Sequence, residues 1–189
     1  MGADGQLPVR SVSTPTGTDA MDEVEALLAG MHVDAEINID APVEMVWGLI
    51  ADVTRMGEFS PECHRVEWVD GDAAEVGNRF RGHNRQGGRE WARTCTITKL
   101  EPPARFAYEV NDDVDGSPAS EWSFELSPAE DGGTVLHQRF QHLPRGRTGV
   151  SALIEAHPDR AEEIVKGREQ MLGEAMTTTL AKMKQALER

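Results

Sequence analysis

The sequence predicts an α+β protein in which a strongly curved antiparallel sheet of seven strands closes around one long C-terminal helix. Three observations support this fold class. Apolar and polar residues alternate with a period of two in seven short segments between residues 32 and 142. Turn-forming residues separate most of these segments, which indicates consecutive antiparallel hairpins rather than crossover helices. From about residue 159 the apolar period changes to 3.6, as in an amphipathic helix.

The N-terminal part of the chain differs from the rest in composition. Residues 1–18 consist mainly of Gly, Pro, Ser and Thr, and residues 19–30 have the pattern of a short amphipathic turn at most. We therefore expect residues 1–30 to be a flexible extension and residues 31–189 to form a single domain. Because residues 1–20 contain no apolar central stretch, we expect no secretory signal and a cytoplasmic location.

The first strand and two short helices open the domain. Alternation begins at residue 32 and ends at residue 39. Pro42 then suits the first turn of a helix, and apolar residues at helical spacing continue to about Asp52. A second short helix is predicted at residues 53–59, and it ends before Pro61 because the residue preceding a proline avoids the helical region.

The rest of the domain is predicted as a meander followed by the long helix. The six further strands are predicted at residues 65–71, 77–85, 89–100, 105–112, 120–127 and 133–142. A loop is expected at 143–158 and the helix at 159–188, which is about 45 Å long at 1.5 Å per residue. Its apolar stripe consists of Ile164, Met171, Leu172, Ala175, Met176, Leu180, Met183 and Leu187. A stripe of this length needs a long apolar partner surface, which the concave side of the sheet offers.

Composition and charge exclude several classes of protein. A length of 189 residues and a hydrophobic fraction of 39% suit one folded domain. The net charge of −14 opposes binding to a phosphate backbone or an anionic membrane. The longest apolar run, residues 45–51, is far shorter than the roughly 20 residues that cross a bilayer. We therefore expect no nucleic-acid partner and no stable membrane insertion.

The sequence also lacks the motifs of metal and cofactor sites. Cys63 and Cys95 form no Cys-x-x-Cys pair, which excludes a disulfide framework and a cysteine-built zinc site. The six histidines show no metal-binding spacing. There is no Gly-x-Ser-x-Gly elbow, phosphate-binding glycine loop or dinucleotide fingerprint. We expect no metal and no cofactor.

Several segments resemble a known superfamily. They are IDAPVEMVWGLIADVTRMGEFSPE (39–62), VGNRFRGHNR (76–85), WARTCTITKLEPPARFAYEV (91–110), WSFEL (122–126), GGTVLHQRF (132–140) and MTTTLAKMKQALE (176–188). They are similar to the helix-grip (SRPBCC) superfamily of START lipid-transfer domains and birch-pollen allergens, and most similar to its bacterial polyketide cyclase/dehydrase-like branch. The resemblance implies a START-like helix-grip domain with an internal cavity. It implies no single activity, because the superfamily contains carriers, cyclases and hormone sensors.

Alternation along the strands predicts which residues face this cavity, because the face with the large apolar side chains must meet the helix. The predicted ligand-binding residues, including those offered by the helices, are Trp47, Phe59, Phe80, Asn84, Trp91, Arg93, Phe106, Tyr108, Trp122, Phe124, Leu136, Gln138, Phe140, Arg168, Met171 and Leu172. The alternative for the aromatic residues is that they simply fill the core. The set as a whole favours an aromatic-lined pocket.

The polar residues of this set are informative, because a buried polar group without a partner is unfavourable by about 1–3 kcal/mol. Asn84, Arg93, Tyr108 and Gln138 must pair with each other, with water or with a ligand. Two alternatives stay open: they form a satisfied network in the wall, or Arg93 extends to solvent. Arg168 either reaches the cavity mouth, where it attracts a carboxylate or enolate, or covers the helix stripe with its stem.

Three functions from different classes follow. The first is a non-enzymatic protein that binds or carries a hydrophobic or aromatic small molecule, for example in lipid transport. Asn84, Tyr108, Gln138 and Arg93 would orient this molecule. The second is an aldol cyclase/dehydratase in which Tyr108 or His142 exchanges protons and Arg93 or Asn84 stabilises an enolate. The third is a protein-interaction domain whose own side chains fill the cavity. The sequence is compatible with a monomer or a homodimer.

Overall fold

The computed structural model of the chain describes residues 17–130 and 132–189, with side chains described from residue 22 onward. In this part of the chain the helices are α1 (Gly17–Gly30), α2 (Val43–Ala51), α3 (Met56–Phe59), α4 (Gly149–Ala156) and α5 (Ala161–Leu187). The strands are β1 (His32–Ile39), β2 (Cys63–Trp68), β3 (Arg79–Gln86), β4 (Arg89–Glu101), β5 (Arg105–Asn111), β6 (Pro118–Pro128) and β7 (Thr134–His142). Within the described ranges, no helix has the length and apolar character needed to cross a membrane.

The seven strands form one antiparallel sheet with the order β1-β7-β6-β5-β4-β3-β2. Hairpins connect β2 through β7 in sequence. In the chain, α2 and α3 follow β1 and precede β2, and these two strands form the opposite edges of the sheet. The long helix α5 packs on this sheet, most extensively beside β1. The predicted fold class, a curved seven-stranded sheet around a C-terminal helix, is confirmed.

Strand pairing aligns the inward-facing residues in rows across the sheet. Two such rows cross β5, β6 and β7, and they are Tyr108-Trp122-Phe140 and Phe106-Phe124-Gln138. Residues in a row lie close enough for their side chains to touch. The ring centroids of Trp122 and Phe140, for example, are 5.1 Å apart in an edge-to-face arrangement.

The main hydrophobic core occupies one end of the space between the sheet and α5. Phe106, Phe124 and Leu136 are each 0% exposed and belong to one cluster with Leu180 and Met183 of α5. Large side chains from both layers meet here and close this end completely. Any open space must therefore lie toward the other end of α5.

The N-terminal region is more ordered than the sequence analysis predicts. Residues 17–30 form a helix rather than a short turn at most, and Leu28 is buried in a second hydrophobic cluster. The side-chain amide of Gln141 on β7 donates to the carbonyl oxygen of Ala29 over 2.9 Å. These contacts order the end of α1 because they satisfy backbone groups and bury apolar surface together. Residues 1–16 of the predicted flexible extension lie outside the described residues.

The region predicted as a loop at 143–158 contains α4. Thr148 caps this helix: its hydroxyl accepts from the backbone N–H of Ser151, and the Ser151 hydroxyl accepts from the backbone N–H of Thr148. Ile154 anchors the helix and is 1% exposed. A helix of eight residues is too short for its apolar period to be recognised in the sequence.

Close packing fixes the position of the segment around Gly146 that leads into α4. A methyl group on Gly146 would lie 2.2 Å from the backbone carbonyl oxygen of Ala119, at the start of β6. We expect Gly146→Ala to lower the free energy of unfolding by about 1–3 kcal/mol in urea titrations, because the backbone must shift. Gly48→Ala is the matched control, since it adds a methyl group in α2 where nothing lies within 4 Å. Its stability should be unchanged or about 0.5–1 kcal/mol higher. Equal effects of the two changes would contradict this packing.

Candidate ligand-binding site

A cavity of about 580 Å³ lies between the concave face of the sheet and the N-terminal half of α5. Exposed side chains from the β3–β4 hairpin, α4 and the start of α5 surround its mouth, among them Arg89, Leu153 and Arg160. The protein's own side chains therefore do not fill the space. The expectation of a self-filled cavity is wrong, because the large side chains of the core are concentrated at the opposite end of α5.

Most of the residues predicted for the site line this cavity. They are Phe80, Asn84, Trp91, Arg93, Tyr108, Trp122, Gln138, Phe140, Arg168, Met171 and Leu172, together with His142 from the catalytic candidates. They come from strands β3 to β7 and from α5, so the fold brings distant segments of the chain to one wall. Their part in binding or catalysis stays a prediction.

Five predicted residues do not line the cavity and need correction. Phe59, Phe106, Phe124 and Leu136 are buried in the closed hydrophobic core, and Trp47 packs half-buried against it. For the three strand residues, alternation identifies the face of the strand and gives no information on where along the strand the packed core ends. For Trp47 and Phe59, helical spacing likewise gives no information on which part of the interior they meet. These positions face the same interior but lie beyond the floor of the cavity.

Several cavity residues are absent from the sequence-based set. Val53 and Met56 come from the region before β2, and Met31 comes from the residue that follows α1. Val150 and Leu153 line the mouth from α4. Thr148, a residue type favoured at the N-cap of a helix, precedes the apolar residues of α4 and is the signal from which this last group could have been found.

An ion pair crosses the cavity wall between α5 and the start of β2. Both guanidinium Nη atoms of Arg168 donate to the two carboxylate oxygens of Glu62, at 3.3 Å each. The side chains are 25% and 18% exposed, so water screens the pair only in part. Arg168 thus reaches the cavity, as one of the two alternatives predicts, and it is already paired there.

Arg93 is also paired with a carboxylate. Its Nη1 donates to Asp113 in the β5–β6 turn and, over 3.3 Å, to the backbone carbonyl oxygen of Ala92. The Arg93 side chain is about one-third exposed, which agrees with the alternative that it extends toward solvent. Asn84 makes one long hydrogen bond, from its amide to the carbonyl oxygen of Gly82 at 3.4 Å.

His142 is engaged in structural hydrogen bonds. Its Nδ1 lies 3.0 Å from the carbonyl oxygen of Leu143 and must donate there, which leaves Nε2 to accept from the Thr148 hydroxyl at 3.2 Å. The residue is 1% exposed, and burial lowers the pKa of its imidazole although the bond to Leu143 opposes the shift. The neutral ring therefore ties the end of β7 to the cap of α4, with neither nitrogen free for proton exchange with a ligand.

Tyr108 and Gln138 are different, because both are buried and each has a polar atom without a hydrogen-bond partner among the described residues. Tyr108 is 9% exposed and Gln138 is 3% exposed. None of the described residues forms a hydrogen bond with the Tyr108 hydroxyl, and the Oε1 of Gln138 is fully buried without a partner. Burial raises the pKa of the Tyr108 phenol, so the hydroxyl stays protonated near neutral pH.

Both cysteines line the cavity as well. Burial raises the pKa of the Cys63 thiol and, more strongly, that of the Cys95 thiol. A protonated thiol is a poor nucleophile, so neither residue is suited to covalent chemistry. In the part of the chain that the structure describes, no group of three or more His, Cys, Asp or Glu residues is arranged to hold a metal ion.

The lowered pKa of His142 predicts a pH-dependent stability. Below its ordinary pKa of 6.5, the unfolded chain binds a proton that the folded imidazole resists. The stabilisation from His142 is therefore complete above this value and is lost as the pH falls below about 6.5 toward the lowered pKa of the folded imidazole. In urea titrations across this range, the free energy of unfolding of the wild type should fall more steeply than that of His142→Gln. Parallel curves for the two proteins would contradict the buried neutral ring.

Comparisons with known proteins agree with this architecture. Residues 31–188 match the family described as polyketide cyclase / dehydrase and lipid transport. A Streptomyces cyaneus protein, provisionally named a polyketide cyclase, is 30% identical over 114 residues, which are 56% of this chain and 68% of that protein. The family and this relative support a ligand-binding or cyclase role.

Solved structures show the same fold. The polyketide-cyclase-like protein Cgl2372 of Corynebacterium glutamicum has a TM-score of 0.60 and 28% identity, covering 84% of this chain and 91% of that one. The di-domain ARO/CYC protein StfQ from the steffimycin biosynthetic pathway has a TM-score of 0.69. At 14% identity, over 90% of this chain and 54% of that one, StfQ is similar in fold alone. With the family match over residues 31–188, the chain belongs to the polyketide cyclase / dehydrase and lipid transport family, the branch of the helix-grip superfamily that its sequence predicts.

Proposed function

We propose that the protein binds and carries a hydrophobic or aromatic small molecule in the cavity between the sheet and α5. The observation that carries this proposal is an open space of about 580 Å³ whose wall consists largely of aromatic and aliphatic side chains. This volume lies within the usual range of small-molecule pockets, about 300–1,000 Å³. Without a ligand, the apolar wall of this open cavity is in contact with water, which is unfavourable and is relieved when an apolar molecule binds.

The residues of the cavity wall account for both the affinity for a ligand and the orientation in which it is held. At roughly 25 cal/mol per Å², burying about 250 Å² of apolar ligand surface contributes about 6 kcal/mol before the entropy of association is subtracted. Trp122 and Phe140 form an edge-to-face pair that offers a rigid aromatic surface on β6 and β7. Tyr108 and Gln138 supply polar atoms that can set the orientation of the ligand.

The geometry favours binding over catalysis. Of the three catalytic candidates, Arg93 is paired with Asp113, and both ring nitrogens of His142 are engaged by Leu143 and Thr148. Only Tyr108 presents a free functional group to the cavity. A lone phenol with a raised pKa can donate a proton or a hydrogen bond, and it is a poor general base near neutral pH.

A polyketide cyclase or dehydratase is the second candidate, favoured by the family match and by the Streptomyces cyaneus relative. In this function an enolate carbon attacks a carbonyl carbon of the same molecule, and Tyr108 donates its proton to that carbonyl oxygen, which becomes the hydroxyl group of the aldol product. The proton lost when the enolate forms returns to the phenol through water. Asn84 is the remaining amide that could stabilise the enolate oxygen, since its one hydrogen bond within the chain is long. The cytoplasmic location and the choice between monomer and homodimer stay predictions of the sequence.

Filling the cavity tests the binding function directly. Gly82 lines the cavity from β3, and a Cβ atom there would lie in ordinary contact, 3.7 Å from the Cys63 sulfur. We expect Gly82→Leu to weaken binding of the neutral fluorescent probe N-phenyl-1-naphthylamine by roughly tenfold or more, because the side chain occupies ligand space. Fluorescence titration gives the affinity, and native mass spectrometry of the purified protein shows whether a small molecule is already bound.

Ala92→Leu is the matched control for this experiment. Ala92 lies opposite His83 in the β3–β4 ladder and is absent from the cavity wall, so the added volume points away from the ligand. Probe affinity should therefore be unchanged in this variant. The carrier function is overturned if the wild type binds neither the probe nor a co-purifying molecule, or if the two variants weaken binding equally.

Turnover separates the two candidate functions. If the protein is a cyclase, Tyr108→Phe should lower the rate of ring closure of a polyketide-like thioester by about 10²–10⁴-fold, since general acid catalysis contributes that much. The affinity for N-phenyl-1-naphthylamine should change little, because the probe offers the phenol no strong acceptor. Cyclised product is measured by liquid chromatography with mass detection. No turnover by the wild type above the uncatalysed rate supports the carrier function.

A further inference from the structure

Gln138 lies where an apolar residue is expected. It is on the concave face of β7 between Leu136 and Phe140, which are 0% and 6% exposed. Its cross-strand neighbours are Ala35 on β1 and Phe124 on β6, whose side chains form no hydrogen bonds. The Oε1 of this amide is fully buried and lacks a hydrogen-bond partner.

No polar group of the cavity wall among the described residues donates a hydrogen bond to the Gln138 Oε1. Thr179 of α5 lines the same cavity and is 4% exposed, but its hydroxyl donates to the carbonyl oxygen of Ala175 over 2.8 Å. A buried acceptor without a partner destabilises the folded protein, and a Leu or Met side chain here would avoid that penalty. An unsatisfied buried group of this kind calls for a partner from outside the chain.

We propose that Gln138 is a specificity-determining residue whose amide, turned about its terminal torsion so that Oε1 faces the cavity, accepts a hydrogen bond from a neutral hydroxyl group at the buried end of the ligand. This inference rests on the proposed binding function and names its ligand class: a hydroxylated aromatic or hydrophobic molecule. The Tyr108 hydroxyl, one row away across the sheet, is a second polar contact for the same end of the molecule.

The charges around the cavity indicate why the buried end is neutral. Arg93 and Arg168, the half-buried arginines of the wall, are each paired with a carboxylate, Asp113 and Glu62 respectively. The other arginines of the wall are exposed at the mouth. An anionic group placed beside Gln138 would therefore be desolvated without a cation, which is strongly unfavourable. A hydroxyl group is small, neutral and able to donate.

Two probes of nearly the same shape test this assignment, 2-naphthol and 2-methylnaphthalene. A wholly apolar wall binds the methyl compound more tightly, because the hydroxyl group of naphthol would lose its hydrogen bonds to water. We expect the opposite order in the wild type, with 2-naphthol binding roughly tenfold tighter in competition with N-phenyl-1-naphthylamine. In Gln138→Met, which keeps the length of the side chain and removes the amide, the order should reverse.

Gln141→Met is the matched control on the same strand. Its amide points to the other side of β7 and is satisfied by the carbonyl oxygens of Ala29 and Met31, at 2.9 and 3.3 Å. This change should lower the melting temperature and leave the preference for 2-naphthol intact. Gln138→Met should leave the melting temperature of the ligand-free protein unchanged or raise it, because it removes an unsatisfied buried group.

The outcomes distinguish this inference from the function on which it rests. If both naphthalenes bind the wild type and the methyl compound binds as tightly or more tightly, the binding function stands and the role of Gln138 is overturned. If Gln138→Met is strongly destabilised, the amide has a structural role instead and the inference also fails. If neither naphthalene nor the fluorescent probe binds, the proposed function itself is overturned.

Discussion

The mismatch in size between a seven-stranded curved sheet and a single helix is the constraint on which the rest of this structure depends. One helix cannot cover the whole concave face at close-packed density. Where large side chains meet, as Phe106 and Phe124 meet Leu180 and Met183, the interior is closed. Where the chain has Gly82, Gly167 and Ala175, the facing surfaces stay apart and the cavity remains. The proposed ligand site is thus the part of the interior that the core leaves unfilled.

The cavity depends on the position of α5, which is tied down near both ends. Near its start, Arg168 is paired with Glu62, at the beginning of β2. Near its other end, the Lys184 ammonium donates to the carbonyl oxygen of Asn38, and the Glu188 carboxylate accepts from the backbone N–H of Asp40 at 2.7 Å. These links connect the helix to opposite edges of the sheet, since β1 and β2 are the edge strands. The space between them is therefore formed before a ligand arrives, which reduces the entropy lost on binding.

The polar groups of the cavity divide into those that hold the wall together and those that are left for a ligand. Glu62 with Arg168 and Asp113 with Arg93 are closed pairs, and His142 joins β7 to the cap of α4. Tyr108 and Gln138 have no such partner within the described chain. A protein selected for stability alone would have apolar side chains at these two positions. Their presence on an otherwise apolar floor supports the proposal that the cavity binds a ligand.

Local periodicity and turn residues were enough to predict the seven strands, the long helix, their order in the chain and the inward face of each strand. The tertiary structure was needed to establish the depth of the cavity, and so to separate the inward residues that form its wall from those, such as Phe106 and Leu136, that belong to the core. It also revealed α4 and the ordered end of α1, which are stabilised by contacts with β7, α5 and Thr148 rather than by their own pattern. Whether a buried polar group is satisfied, as for Arg93, or left open, as for Gln138, depends on residues far apart in the chain, so alternation alone could not predict it.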